Sequence, residues 1–528
     1  SSGTVEFRGD APQSVISGLF TGNAVMNLTI SNPAGVTLTG PLGVSGVVLV
    51  QNGTLVSGGH LTLLSDVSGT ALVDGTGNGN ITGDVTMQRY LASAYGYKYF
   101  SSPFSDATVS EFGDDMNLAS SFPLFYRYDE NRTSSGWVGY STGTNILAAM
   151  AGYAVNFGAE DVAKTVDVTG EVNNGNLSVT LYNHNRAFTK GFNLVGNPYP
   201  SPIDWDASTG WTRANVDDAV YYFRASTTDE YGGTYSSYVD GVPSEPGVST
   251  NIIPSMQGFF VHVTDTFPAT ATLGMTNSVR ISDRTHPFLK SAVASTRFLL
   301  RVTAAFTDDA ASVDPLVVYF DDAAEPSFDN RFDALKLMNT DMMVTNFYSV
   351  LPEGMKLSIN ALPGQADSAL YVPLGLKTYR DGEVIFRMRD MENLPEGVRV
   401  WFRDAVTGRN VEFLPQAEYK VNLTAGDYDN RFTLGFRKST TGIDDMEGSS
   451  ELFDAYPAGE FVKATVRAVE GNRGVIMICD LTGRPALITT IHETGHYEIP
   501  ANVKPGLYII RYTTGNRQYT KKLTLGIR

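Results

Sequence analysis

The feature that most constrains this chain is the length and phase of its apolar runs. They are short, they alternate with polar residues at a period of two, and clusters of Gly, Asn, Asp and Ser separate them. No long stretch keeps a 3.6-residue period, so an all-β fold is expected throughout. The first 88 residues are the most repetitive: Asn27-Leu28-Thr29-Ile30, Val36-Thr37-Leu38-Thr39, Val47-Val48-Leu49-Val50 and Leu61-Thr62-Leu63-Leu64 are separated by corners bearing Gly and Asn. Strands of about four residues recurring every ten or so suit a β-solenoid, whose coils bury their apolar side only against neighbouring coils. An ordinary β-sandwich is the competing reading. A solenoid needs capping, so residues 1–88 are expected to end a longer stack.

Residues 89–285 contain an internal duplication. Gly96-Tyr97-Lys98-Tyr99-Phe100-Ser101-Ser102-Pro103-Phe104 aligns with Gly191-Phe192-Asn193-Leu194-Val195-Gly196-Asn197-Pro198-Tyr199. Each copy continues with an aromatic strand, Leu124-Phe125-Tyr126-Arg127-Tyr128 or Val220-Tyr221-Tyr222-Phe223. Each then closes on Met150-Ala151-Gly152-Tyr153-Ala154-Val155 or Met256-Gln257-Gly258-Phe259-Phe260-Val261. Two like halves packed as one β unit follow from that shared order. Residues 286–437 read as an Ig-like β-sandwich, with strands at Arg297–Val302, Pro315–Phe320 and Arg399–Phe402 and an end at Arg431–Phe436. A linker at 438–450, rich in Ser, Thr, Gly and acids, leads to a small β-sandwich at 451–528.

Charge separates the last region from the rest. Of 528 residues, 18% are charged and 42% hydrophobic, with a net charge of −17. Residues 452–528 hold ten Lys+Arg against six Asp+Glu, a net of +4, and the preceding 451 hold 29 against 50, a net of −21. The acidic balance argues against nucleic acid as a partner. One cysteine, Cys479, excludes a disulfide framework and a Cys-based zinc site. No apolar run approaches the roughly 18 residues of a membrane-spanning helix, so no transmembrane segment is expected.

Three motifs in the tail carry a resemblance. Val475-Ile476-Met477-Ile478-Cys479-Asp480-Leu481-Thr482-Gly483-Arg484 is a strand running into a turn, Pro505-Gly506-Leu507-Tyr508-Ile509-Ile510 opens a second strand, and Tyr519-Thr520-Lys521-Lys522-Leu523-Thr524-Leu525 is a basic-then-apolar last one. In that order they resemble the type A C-terminal sorting domain of cargo of the type IX secretion system of Bacteroidota. Gly196-Asn197-Pro198-Tyr199-Pro200-Ser201, Gln257–Val261 and Phe328-Asp329-Asn330-Arg331-Phe332-Asp333-Ala334 look like segments of adhesin-like surface proteins of the same bacteria. The resemblance implies that Asp480, Gly483, Pro505, Gly506, Tyr508, Lys521 and Lys522 belong to a sorting signal. Its implied partners are the type IX translocon, an outer-membrane barrel shuttle protein and a sortase-like peptidase. It also implies an exported chain at the outer face of the outer membrane or outside the cell, here with its tail uncleaved. Ser1–Glu6 carry no signal-peptide pattern, so the export signal is expected to lie upstream.

Catalytic motifs are mostly refused by their context. His492-Glu493-Thr494-Gly495-His496 spells the zinc-protease pattern, which works only on a helix that puts both histidines on one face. Here the flanks read as strands, so a hairpin loop is expected. His60 and His262 read as structural. Asp204 and Asp206 flank Trp205, a pattern compatible with sugar chemistry but better explained by a buried Trp beside turn acids. Asp74-Gly75-Thr76-Gly77-Asn78-Gly79 imitates an EF-hand start, but Val85 stands where its final Glu belongs. Calcium is the one cofactor left open, on Asp308, Asp309, Asp314, Asp321, Asp322, Asp329 and Asp333. Ser368, in Asp367-Ser368-Ala369, fits a short O-glycosylation sequon. No enzyme is expected. The expected role is a non-catalytic structural or adhesive protein touching surface glycan or protein. The alternative is the accessory or carbohydrate-binding C-terminal part of a larger secreted hydrolase.

Overall fold

The computed structural model describes residues 3–265, 269–282, 296–364, 370–429, 431–438, 453–458, 461–467, 474–480, 484–501, 503–504, 506–515 and 517–525. Strands make up 54% of the chain, and the described residues contain no α-helix, so the all-β expectation holds. Contacts divide the chain into two compact units, Ser1–Glu396 with Val400–Phe436 and Gly397–Arg399 with Arg437–Arg528.

The first unit opens with the solenoid, and it has three faces. Thr4–Arg8, Asn27–Ser31, Val47–Asn52 and Leu72–Val73 stack on one; Gln13–Val15, Val36–Leu38, Thr54–Val56 and Asn80–Thr82 on the second; Ala24–Val25, Leu42–Val44, Leu61–Leu63 and Val85–Leu91 on the third. Pairing within each face is parallel. The period of two turns Leu28, Ile30, Leu38, Val44, Leu55 and Leu63 inward, where all are buried, and leaves Thr29, Thr37 and Thr62 half-exposed. Corners are fixed by asparagine: the buried Asn32 carboxamide donates to Ala11 O and Gln13 Oε1 and accepts from Ala34 N. Gly53, at φ +78°, passes so close beneath that a Cβ would lie 2.0 Å from Asn32 O, and only glycine fits there.

The last solenoid strand belongs to two structures. Val85–Leu91 pairs parallel with Leu61–Leu63 on one edge and antiparallel with Lys164–Gly170 on the other. The boundary expected at residue 88 therefore falls inside a strand. The duplication itself is clear in the topology. In the first repeat Tyr97–Phe100 pairs with Tyr153–Asn156, which pairs with Phe125–Tyr128, which pairs with Trp137–Gly139. In the second, Phe192–Gly196, Gly258–Val263, Val216–Ala225 and Gly233–Val239 repeat that order. The flanking pairs correspond as well: Val85–Leu91 with Lys164–Gly170, and Leu177–Asn183 with Ala269–Met275. The repeats meet through two equivalent bridges, Phe100 to Gln257 and Val195 to Ala151, a pseudo-two-fold arrangement.

The third region is a sandwich, as expected. Among the described residues twelve strands form one hydrogen-bonded sheet, including a parallel pair, Asp314–Asp321 with Lys356–Pro363. The sheet folds over itself: Phe386 lies 4.8 Å from both Phe402 and Phe432, whose strands are far from its own in the strand order. The boundary at 285/286 and the 438–450 linker beyond Lys438 lie outside the described residues, and Lys438 itself ends the strand Phe432–Lys438.

Among the described residues the second unit is a seven-stranded antiparallel sandwich. One sheet holds Phe453–Ala458, Phe461–Val466 and Gly495–Pro500, the other Pro485–Ile491, Gly474–Cys479, Gly506–Thr514 and Arg517–Leu525. Ile476, Ile478, Ile510, Tyr512, Val462 and Ile499 form its core.

Candidate functional site

The seven acids proposed for calcium do not form one site. Asp314 and Asp321 stand at opposite ends of one strand, roughly 20 Å apart at strand rise. Asp308 pairs with Arg380 at 2.6 Å, which holds its carboxyl below the usual range, and Asp309 lies beside it in the same short turn. Asp314 is buried against Lys336. Asp321 meets Arg297 at 2.8 Å, and Asp322 is exposed. Asp329 accepts from the backbone and guanidinium of Arg331. Asp333 accepts from Asp329 N and Ala361 N, while burial pushes its carboxyl up to about 7. Most of these carboxylates already hold cations or amides of their own chain, which is the reason the calcium reading fails. Among the described residues no three His, Cys, Asp or Glu side chains are grouped to hold a metal.

Other candidates resolve into structure. Trp205 is 1% exposed, its indole donates to Asp218 O, and the Arg213 guanidinium lies 3.9 Å over its ring. Asp204 accepts from Asn251, and Asp206, pushed up by burial, accepts from the Tyr238 hydroxyl. Asp74 accepts from Thr76 in a turn. His492–His496 spans the connection between Pro485–Ile491 and Gly495–Pro500, so its histidines share no helix face. His60 is half-buried at a solenoid corner. Ser368 lies outside the described residues, as do Gly483 and Pro505.

The remaining tail residues gather at one end of a single sheet. Cys479 pairs with Ile509 and Ile509 with Lys522, so Lys522 lies on that row, Tyr508 next to it turns to the core side of the sheet, and Asp480 follows the end of its strand. Asp480 closes its turn by accepting from Arg484 N, and Tyr508 donates to Lys504 O. Gly506 begins its strand. Lys521 pairs with Asp454, while Lys522 is exposed.

Two features escaped the sequence reading. The tetrapeptide Asp-Asn-Arg-Phe occurs at 329–332 and again at 429–432. The Asp and Arg of each line an open cleft, of about 680 Å³ and 480 Å³ respectively. Their charges are already matched: Arg331 by Asp329, Arg431 by Asp404, and Asp429 by Lys356.

The second feature is an open aromatic face on the first repeat. Tyr97 and Tyr126 come from its strands, Phe122 from the loop before Phe125, and Tyr231 from the hairpin of the second repeat. The four rings contact one another in a closed circuit. Centroid separations are 6.1 Å (Tyr97–Tyr126), 6.5 Å (Tyr126–Phe122), 5.6 Å (Phe122–Tyr231) and 6.3 Å (Tyr231–Tyr97), with interplanar angles of 51–82°. Phe122 is 51% exposed and Tyr231 55%. Asp229 and Glu230 adjoin the circuit: Glu230 accepts from Asn156 at 3.0 Å, and Asp229 from Tyr231 N. Lys98, the strand neighbour of Tyr97, points to the opposite face, where burial brings its ammonium down to about 8. The loop rings carry no periodic signal, because hairpin length differs between the repeats.

No curated protein matches the chain. Among solved structures it is similar to a β-glucuronidase from Ruminococcus gnavus in complex with uronic isofagomine, and to the β-glucuronidase of that organism in a second crystal structure. Both are 10% identical, the alignments cover 84% of this chain but 46% and 45% of theirs, and the TM-score is 0.12 in each case. The chain thus spans less than half of those proteins, and a likeness of that size carries no argument. A family profile matches residues 3–436, stopping where the first compact unit ends. The chain belongs to that family, which is described as a domain of unknown function (DUF8693).

Proposed function

We propose that this chain is a non-catalytic structural or adhesive protein of a bacterial surface, exported through type IX secretion, with residues 451–528 as its sorting domain. The observation that carries the reading is a unit compact by itself in which the strands of the three tail motifs, Gly474–Cys479, Gly506–Thr514 and Arg517–Leu525, lie side by side in one sheet. A signal read by a translocon must fold before it is recognised, and a small sandwich with a net charge of +4 over 452–528 and an exposed Lys522 suits an acidic partner. The first unit supports the structural half of the reading: the solenoid is joined to the duplicated unit through a shared strand, a continuous β core that suits a structural role. The test is removal of Pro505–Arg528 in the native host. The truncated chain is expected to stay in the periplasm, and its display at the cell surface overturns the proposal.

A further inference from the structure

The pseudo-two-fold makes the aromatic face informative, because the same position exists twice. Tyr97 corresponds to Phe192, Tyr126 to Tyr221 and Asn156 to His262, as the strand registers show. In the second repeat Phe192 and Tyr221 meet edge to face at 5.2 Å, and the chain fills the space against them itself. The His262 ring lies 5.0 Å from Phe192, with Nδ1 2.6 Å from the buried Asp217 carboxylate. Leu335 N then donates to the Tyr221 hydroxyl, and Phe192 and Tyr221 are both buried. An aromatic pair there is completed by an imidazole and by the carboxylate it is bonded to.

The first repeat keeps the aromatic pair but has neither the histidine nor its partner acid, and the acids beside it come from the second repeat's hairpin. Asn156 replaces the histidine, Phe122 and Tyr231 add two more ring walls, and Glu230 and Asp229 stand beside them. Among the described residues no Lys or Arg of this chain lies over any of the four rings. Neighbouring rings are inclined at 51–82°, which makes walls rather than the flat platform on which a sugar ring stacks. A group at the middle of a circuit with sides near 6 Å sits about 4–5 Å from each centroid, inside the ~6 Å reach of a cation–π contact.

We propose that Tyr97, Phe122, Tyr126 and Tyr231 form an aromatic box for a quaternary ammonium group, with Glu230 and Asp229 supplying the balancing charge. The proposal deepens the reading of the first unit as a binding surface and is independent of the sorting role of the tail. A trimethylammonium group suits the box because it offers no hydrogen bonds and spreads its charge over methyl groups that contact ring faces.

The test uses the full chain and titrates tetramethylammonium and choline, followed by tyrosine fluorescence and calorimetry. Its neutral isostere 3,3-dimethylbutanol controls for apolar burial alone. Choline is expected to bind saturably and at least tenfold more tightly than the isostere. Tyr231→Leu and Phe122→Ala, both at exposed positions, are each expected to weaken choline at least fivefold, whereas Tyr231→Phe keeps the ring face and keeps binding. Phosphocholine and a trimethyl-lysine peptide then distinguish a headgroup source from a protein source. Equal binding of choline and the isostere, no saturation by roughly 10 mM, indifference to Tyr231→Leu and Phe122→Ala alike, or binding of oligosaccharides in place of ammonium overturns the proposal. Because the readout is binding by the purified chain, its failure leaves the periplasmic-retention test untouched.

Discussion

The buried pair Asp314–Lys336 offers the sharpest test of how the first unit is held together. Lys336 Nζ lies 2.6 Å from both carboxylate oxygens, and each side chain is 1% exposed. The carboxylate also accepts from Phe347 N at 2.5 Å. Lys336→Met keeps the apolar stem and deletes the charge. Removing one partner of a buried pair leaves the other charge uncompensated, at a cost of about 3–5 kcal/mol. Burial already holds the Asp314 carboxyl above its usual range, and loss of the ammonium moves it higher. A carboxyl raised in the folded state binds its proton more tightly there than in the unfolded chain. Its penalty therefore grows as pH rises through the window between the two values and is smallest in acid. Urea unfolding followed by tryptophan fluorescence should show the Lys336→Met deficit shrinking between about pH 8 and pH 4. Adding Asp314→Asn removes the orphaned charge while keeping an acceptor for Phe347, and is expected to restore at least half of the loss. A deficit below about 1 kcal/mol at pH 8, or one that does not change with pH, refutes the reasoning.

Asp333 gives the wild type a pH dependence of the same sign. Its carboxyl, near 7 when folded and about 4 when unfolded, makes stability fall as pH rises between those values and level off above; Asp333→Asn should flatten that slope in the same unfolding series. Millimolar calcium or a chelator is expected to move the melting temperature by less than about 1 °C, since a ligand bound only by the folded state would raise it, and a larger shift restores a calcium site. In the solenoid, Leu28→Ala should cost about 2–5 kcal/mol, whereas the outward Thr29→Ala should stay within about 1 kcal/mol; thermal unfolding compares the two.

What the sequence made legible was whatever leaves a periodic trace. Inward Leu28, Ile30 and Leu38 alternate with threonines, so the solenoid could be read from a period of two, and the repeats from anchors that keep their order. The three faces could not be read, because corners such as Asn32 and Gly53 meet across coils far apart in sequence. The calcium reading failed for a related reason. Arg380, Lys336 and Arg297 come from segments distant in sequence, and acids look unpartnered until the sheet is folded. The aromatic box was half visible: Tyr97 and Tyr126 sit on anchored strands, while Phe122 and Tyr231 lie in loops whose meeting depends on the pseudo-two-fold.

The motif that betrays the duplication is also the seam that joins its halves. Met150 and Met256 stand at φ +63° and +58°, a conformation costing a non-glycine residue roughly 1–3 kcal/mol. Each is retained because its carbonyl is used by the opposite repeat: Gly196 N donates to Met150 O at 2.9 Å and Ser101 N to Met256 O at 3.2 Å. Two residues later glycine is required, because a Cβ on Gly152 would lie 2.5 Å from Val195 O and one on Gly258 2.9 Å from Phe100 O. The Met-x-Gly-aromatic signature is therefore an interface constraint, imposed on both copies by the same symmetric contact. Residues away from the seam were under no such constraint, and there the repeats part. The first lends its outer strand to the solenoid, the second buries its aromatic pair behind His262 and Leu335, and the unburied counterpart in the first repeat is the face left to bind something else.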